Sequence, residues 1–344
     1  MAALRVFALL ALVWTASQQA AAQPAGDLFR GKEVAVLIGG APGGGADIYA
    51  RELARFYGRF LPGGPATVAK NVLGAGGLKL ANQIYNVSPK DGTEIATFLT
   101  STALEPLFGN KEAKYDTAKF TWIGNMDSDA TGCVTWKTTG IRGWQDLKRR
   151  TSNFGASGPA STASIQAKIV AALLGIEIKM IHGYTQGIRS QILAMQRGEL
   201  DAICGLYLST MHAQFASDLA SGDLVVWMTF GKSRAESFPD VPTIYEVLQT
   251  DADRQLADLI FGQDLLSRPF SAPPGLAPER AAALRDGFTA TMKDPAFLAE
   301  TRKAGLSIRP MNGEETQARY ASFYAMPKAV VERAMAIIGG RGEP

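Results

Sequence analysis

The chain has 344 residues, enough for one or two domains and a substantial core. It is 47% hydrophobic and 19% charged with a formal net charge of +3, the balance of an ordinary globular protein and too weakly basic for a nucleic-acid or electrostatic membrane binder. No run of Lys or Arg carries interleaved aromatics; Lys148-Arg149-Arg150 reads as the solvated basic end of a helix.

The first 22 residues read as a targeting segment. Arg5 supplies a positive start, residues 6–14 form an apolar stretch too short to span a bilayer, and Ala20-Ala21-Ala22 satisfies the small-x-small rule, so cleavage is expected after Ala22. No Cys lies beside that point, and a lipid anchor is not indicated. The two cysteines, Cys133 and Cys204, would meet an oxidising environment after export; a disulfide and a pair of buried free thiols both stay open at this stage.

From residue 33 onward, apolar strands alternate with helical segments, the pattern of an α/β fold with mainly parallel sheets. Strands are expected at residues 33–38, 67–72 and 94–99, with helices at 47–60 and from 78 to 85. Residues 120–125 are apolar again. A new series follows: strands at 133–136, 153–156, 179–181, 200–204 and 224–230, with helices at 144–149, 163–174, 188–197 and 206–220. Beyond Phe230 the alternation fades into helices at 243–249 and 252–265, one last strand at 268–272, and a helical remainder that starts at Pro278 and breaks at Asp294-Pro295 and Gly305.

Three glycine- and hydroxyl-rich turns stand at strand-to-helix junctions. They are residues 39–46, 155–162 and 182–187. Such junctions aim backbone N–H groups and a positive helix end at one point, where small anions bind. In open α/β sheets, ligands gather at the carboxyl ends of strands. With the first turn on one sheet and the other two on a second sheet, the three would line a cleft. In the first turn the N–H groups of Gly44, Gly45 and Ala46 would meet a carboxylate or a bridging water, glycine allowing close approach. Asp47 would cap the helix start.

The same turns exclude other chemistries. The first lacks a Gly-x-Gly-x-x-Gly register, and Lys70-Asn71 stands where a dinucleotide fold carries an acidic residue; no Walker-type Lys-Ser/Thr follows the glycines. His182 and His212 are the only histidines, and neither has a carboxylate or Cys at ligand spacing, so neither a metal nor a cofactor is expected. No Gly-x-Ser-x-Gly elbow is present, although Ser157 or Ser161 with His182 leaves an exported hydrolase as the competing reading.

An ordered set of motifs carries a resemblance to a known family. It comprises Ala41-Pro42-Gly43-Gly44-Gly45-Ala46-Asp47, the run from Asn71 to Gly77, Pro89-Lys90-Asp91-Gly92-Thr93, the Gly/Ser-rich residues 155–164, Gly183-Tyr184-Thr185-Gln186-Gly187, Gly198-Glu199-Leu200-Asp201, and Phe238-Pro239-Asp240-Val241-Pro242-Thr243. Together these resemble the TctC, or Bug, family of periplasmic solute receptors of tripartite tricarboxylate transporters, over residues 32–310. Departures from the family pattern are Gly39-Gly40 before the first turn, Gly183 and Thr185-Gln186 in the third, Ala163-Ser164 at the second, the two cysteines, and an insertion at 249–266. They mark a divergent subgroup and a ligand that need not be a tricarboxylate.

The resemblance implies a two-lobed, type II periplasmic-binding-protein fold with two mainly parallel sheets. Lobe one would be residues 26–125 and 233–344, lobe two 126–232, with a two-segment hinge near 124–132 and 228–234. It implies a monomer in the periplasm that captures a small organic carboxylate and hands it to large and small integral membrane subunits, with no nucleic acid involved. A ligand-sensing role for a signalling partner is a further alternative. The candidate ligand-binding residues are Pro42, Gly43, Gly44, Gly45, Ala46 and Asp47 in the first turn, Ser101 and Thr102 after the third strand, Ser157, Gly158, Ser161 and Thr162 in the second turn, and Tyr184 and Gln186 in the third. With no cationic cluster among these motifs, neutral dipoles and water are expected to hold the anion.

Overall fold

A computed structural model describes residues 27–339 except Ala41, Ala160, Thr185 and Gln186. The expected targeting segment and Gln186 therefore lie outside the described residues. Two sheets organise the rest. The first contains β1 (Glu33–Ile38), β2 (Ala66–Asn71), β3 (Glu94–Thr97), β4 (Thr121–Asn125), β10 (Pro269–Ala272) and β11 (Met311–Asn312) in the order β11-β4-β10-β3-β1-β2. The second contains β5 (Thr131–Trp136), β6 (Ser152–Gly155), β7 (Ile178–Ile181), β8 (Ala202–Tyr207) and β9 (Leu224–Thr229) in the order β7-β6-β8-β5-β9.

The two sheets share one plan. In each, the first strand of a βαβ series sits between the second and third, and the first strand after a chain crossing is inserted next to the third. That inserted strand is β10 in the first sheet and β5 in the second, and each runs antiparallel to both neighbours. The series strands β1, β2 and β3 pair in parallel, as do β6, β7 and β8. Each sheet is thus mixed by pairing, while most of its strands point one way, which brings their carboxyl ends to a common edge.

Local sequence accounts for most elements. β1 buries every residue after Glu33, as a central strand covered on both faces must. Helix α1 (Gly45–Tyr57) buries Tyr49, Ala50, Leu53, Ala54 and Tyr57 on one stripe. α2 is Leu78–Asn86 and α3 is Thr100–Leu104. α4 (Thr162–Leu174) is capped by Ser161 and stops at Gly175, whose φ of 62° places it in the left-handed region. α5 (Ile188–Gln196) and α6 (Leu208–Ala220) follow β7 and β8. α7 (Ile244–Val247) begins with a capping box of Thr243 and Glu246, and α8 is Asp251–Phe261. α9 (Pro278–Lys293) and α10 (Pro295–Lys303) both carry Pro at the start. α11 (Gly313–Tyr324) and α12 (Lys328–Ile338) close the chain, and α8 and α12 lie against each other and against α4.

Several boundaries differ from the sequence reading. The segment expected as a helix at 144–149 is a short 3-10 turn, Asp146–Arg149. Thr100, Ser101 and Thr102 do not end a strand but open the short helix α3. β8 runs three residues beyond its expected end, because Leu206 and Tyr207 go on pairing with Gly132 and Thr131.

The chain passes first from one sheet to the other at residues 126–130, and buried charge fixes that passage. Arg309 reaches Asp127 with Nε at 3.1 Å and Asp129 with Nη2 at 2.9 Å. Asp129 also accepts from the N–H and hydroxyl of Ser209 at the start of α6. Asn125 Nδ2 donates to the Asp127 carbonyl at 2.8 Å, and Ser267 Oγ donates to the same oxygen at 2.6 Å. Burial pushes the Asp127 carboxyl above its ordinary range, and Arg309 opposes that push. Within the second sheet, Cys133 on β5 and Cys204 on β8 stand opposite each other, Cα–Cα 4.0 Å, joined as a disulfide.

Candidate functional site

The first turn follows β1 directly. Gly39 lies so close to Gly77 and Phe98 that a Cβ there would stand 3.2 Å from each. Gly43 has φ of 75°, which favours glycine. Its N–H donates to Asp47 Oδ2 at 2.9 Å. The Asp47 carboxylate also accepts from Arg51 Nε at 2.9 Å and from Asn71 Nδ2 at 2.8 Å, while the same Asn71 amide donates to the Gly40 carbonyl at 2.9 Å. Arg51 above all, then Gly43 and Asn71, hold the buried Asp47 carboxyl down at about 2 against the cost of burial. Asp47 thus locks the turn. The N–H groups of Gly45 and Ala46 in the first turn of α1 have no partner among the described residues.

Beside this turn stands Arg268, the residue before β10. Its backbone is fixed at the first crossing: the N–H donates to Asn125 Oδ1 at 2.8 Å, and the carbonyl accepts from the Met126 N–H at 3.0 Å. Its guanidinium packs on Gly45, with Nη2 2.8 Å from where a Cβ would stand. It lies over the rings of Tyr49 (4.8 Å) and Tyr207 (5.7 Å), and Nη1 donates to the Ser267 carbonyl. Nε is buried without an acceptor, and among the described residues no carboxylate comes within 4.0 Å of the guanidinium.

Arg268 lines a cavity of about 150 Å³ between the two sheets. The first sheet's side contributes Leu99, Thr100 and Ser101 at the start of α3, with Glu105 and Phe108. The second contributes Thr162, Ile165 and Gln166 from α4 and Tyr207 from the end of β8. Ile260, Gln263 and Asp264 come from α8 and the turn after it, and Met335 and Ile338 from α12. The segment 249–266 therefore supplies a wall of the cavity.

Asp264 is buried in that wall. It accepts from Thr131 Oγ1 at 2.6 Å and from Gln166 Nε2 at 2.8 Å. Burial pushes its carboxyl up to about 7, although Thr131 and Gln166 pull the other way. Burial also raises the Tyr49 phenol to about 12, and its hydroxyl donates to the Ser307 carbonyl at 3.0 Å.

Of the residues expected from sequence, Ser101 and Thr162 line the cavity and Gly45 backs Arg268. Pro42, Gly43 and Gly44 are exposed on the turn, and Ala46 is half-buried; none of them lines the cavity. Thr102 is buried, with Gly77 close over its hydroxyl. Ser161 caps α4, accepting from the Ser164 N–H at 3.3 Å and donating to the Gly158 carbonyl at 2.7 Å. Ser157 is exposed and Gly158 half-buried, both outside the lining. Tyr184 packs against the core beneath the second sheet. His182 meets Ser164, Oγ to Nε2 3.1 Å, rather than Ser157 or Ser161.

The glycine turns carry no cation, but the cavity lining does, in Arg268. Arg268 escaped notice because it sits in no glycine turn and only folding of the last strand carries it to the first turn. Gln166, Tyr207 and Asp264 escaped for the same reason: each looks like an ordinary helix or strand residue in the sequence. The one available signal was a lone Arg directly before a short apolar strand.

Two sheets of one plan, joined by chain crossings, with a cavity between their facing edges, define the two-lobed class of periplasmic-binding-protein-like solute receptors. The chain belongs to the tripartite tricarboxylate transporter family receptors: the family's sequence profile matches residues 62–335. The fold resembles that of a TctC solute-binding protein from Polaromonas, at 18% identity and a TM-score of 0.68, over 88% of this chain and 98% of that one. It also resembles a Rhodopseudomonas palustris protein with adipate, at 17% identity and 0.61, over 89% and 97%. MatC from the same organism with bound malate matches at 17% and 0.59, over 89% and 98%. Among the described residues no helix is long and apolar enough to cross a membrane.

Proposed function

We propose that this protein captures a small organic carboxylate in the cavity between its lobes and delivers it to a membrane transporter. The carrying observation is Arg268, a cation at the wall of an interlobe cavity with no carboxylate partner among the described residues, beside the N–H groups of Gly45 and Ala46, which likewise have no partner among the described residues. Family membership and the adipate and malate seen in two proteins of the same fold support the reading. The proposed lobes are residues 26–125 with 233–344, and 126–232, closing over the ligand by motion at the crossings. Ser101 and Thr162 contribute hydroxyls from opposite sides, and the turn at Pro42–Asp47, with Ser157, Gly158, Ser161 and Tyr184, forms the rim that approaches on closure.

Delivery would be to large and small integral membrane subunits, by a monomer exported to the periplasm after loss of residues 1–22. No chemical step is required. A hydrolase reading draws on the Ser164–His182 contact, but Ser164 is buried, and no carboxylate pairs with His182 among the described residues. A thermal-shift screen of mono-, di- and tricarboxylates, with native mass spectrometry of co-purifying ligand, tests the proposal. Stabilisation by an organic acid without its consumption is the expected result. Turnover of an ester or amide that is lost in His182→Ala would overturn it.

A further inference from the structure

We infer that Arg268 is the single counter-ion of the ligand and that the ligand is a monocarboxylate with an apolar body rather than a di- or tricarboxylate. The inference rests on the receptor reading above and narrows its substrate class. Charge is the first argument. Among the described residues that line the cavity, Arg268 is the one cationic side chain. One carboxylate fits the guanidinium, whose planar fork matches it. A second carboxylate on the same molecule would find no second cation among the described lining residues, only neutral hydroxyls and amides or hydrocarbon, a weaker return for a desolvated anion.

The second argument is the wall itself. Leu99, Phe108, Ile165, Ile260, Met335 and Ile338 give the cavity a largely hydrocarbon surface. They come from the helices α4, α8 and α12 and from the segments flanking α3, so the apolar lining is a property of the assembled cavity and not of one helix. A ligand must bury apolar atoms there to gain from leaving water. α8 supplies Ile260, and α12 supplies Met335 and Ile338. These late segments line the apolar part, while Arg268 stands where the first turn and β10 meet.

The guanidinium is also held ready. The rings of Tyr49 and Tyr207 lie beneath it, Ser267 takes one of its N–H groups, and Gly45 leaves room for Nη2 where any side chain would collide. A cation fixed in this way loses little further freedom on binding.

Calorimetry with matched acids tests both parts. The probes are straight-chain monocarboxylates of four to eight carbons, the α,ω-dicarboxylates of the same lengths, and the corresponding primary amides, titrated into wild type, Arg268→Lys and Arg268→Met, each checked for native circular dichroism. The expected result is that monoacids bind wild type at least about tenfold more tightly than their diacid and amide partners. Arg268→Met should weaken monoacid binding at least about 30-fold, as expected when one partner of a buried charge pair is removed, with Arg268→Lys in between. Equal monoacid binding by wild type and Arg268→Met would overturn the role of Arg268. Tighter binding of the diacids would overturn the monocarboxylate class and leave the carboxylate receptor standing. Binding of the amides alone would overturn the carboxylate reading itself.

Discussion

The Arg268 guanidinium lies against the backbone of Gly45, its Nη2 2.8 Å from the point a Cβ would occupy. Two residues more than 200 positions apart in the chain thus build one feature, a cation seated on a glycine helix start. The glycine that the sequence offers as a place for a ligand to approach is used in part to let an arginine approach.

Gly45→Ala separates these uses. The new methyl group moves the far end of a flexible side chain and sits in the first turn of α1, where Ala is favoured over Gly by up to about 1 kcal/mol. The thermal midpoint should hold or rise, while ligand affinity falls by about tenfold, equivalent to about 1.4 kcal/mol. Calorimetry beside differential scanning on the same sample checks both. Unchanged affinity would uncouple the turn from the site.

Asp264 makes stability fall with rising pH. Its carboxyl is pushed up to about 7 by burial, whereas in the unfolded chain it titrates near its ordinary value of about 4. The native state therefore holds an extra proton between those values, so stability is lost as pH rises through that window, by up to about 4 kcal/mol. Asp264→Asn should gain on wild type steadily from pH 5 to pH 8 in urea unfolding. A constant difference across that range would contradict the argument.

Asp47 acts in the opposite sense. Held at about 2 by Arg51, Gly43 and Asn71, it contributes stability that is present above about pH 4 and lost as pH falls toward 2. Asp47→Ala also removes the bond that fixes Gly43. A loss of about 2 kcal/mol at pH 7 is expected, shrinking below pH 4. The variant's unfolding curve at pH 3 against pH 7 provides the check.

The Cys133–Cys204 bond closes a loop with a sequence separation of 71 within the second sheet. Chain-entropy reasoning gives about 4 kcal/mol for a loop of that size. A Cys133→Ser, Cys204→Ser double variant should unfold at a clearly lower urea midpoint, and thiol titration of the unfolded, unreduced wild type should find no free thiol. Two titratable thiols would refute the bond.

Removing Arg309 leaves Asp127 and Asp129 buried side by side without their cation. Arg309→Met should cost about 3 kcal/mol or more at pH 8, and less at lower pH, where the raised carboxyl of Asp127 takes up a proton. Equilibrium unfolding at the two pH values measures this.

The sequence by itself determined the series of strands and helices, because apolar runs of four to six residues bounded by glycine turns leave few alternatives. It also determined the family, through short ordered motifs, and the three turns at the carboxyl ends of β1, β6 and β7. These features are local: Gly43, Ser161 and Gly175 have conformational or capping roles that depend on a few neighbours. Only the tertiary structure decided the cavity and its lining. Arg268, Tyr207, Gln166 and Asp264 come from four separate parts of the chain, and none carries a local mark of its place in the lining. Their meeting depends on β10 returning beside β3, and on α8 and α12 lying against α4. The physical reason is that turn geometry is set by backbone sterics over a few residues, whereas the charge and polarity of a cavity are set by side chains that the two chain crossings bring together.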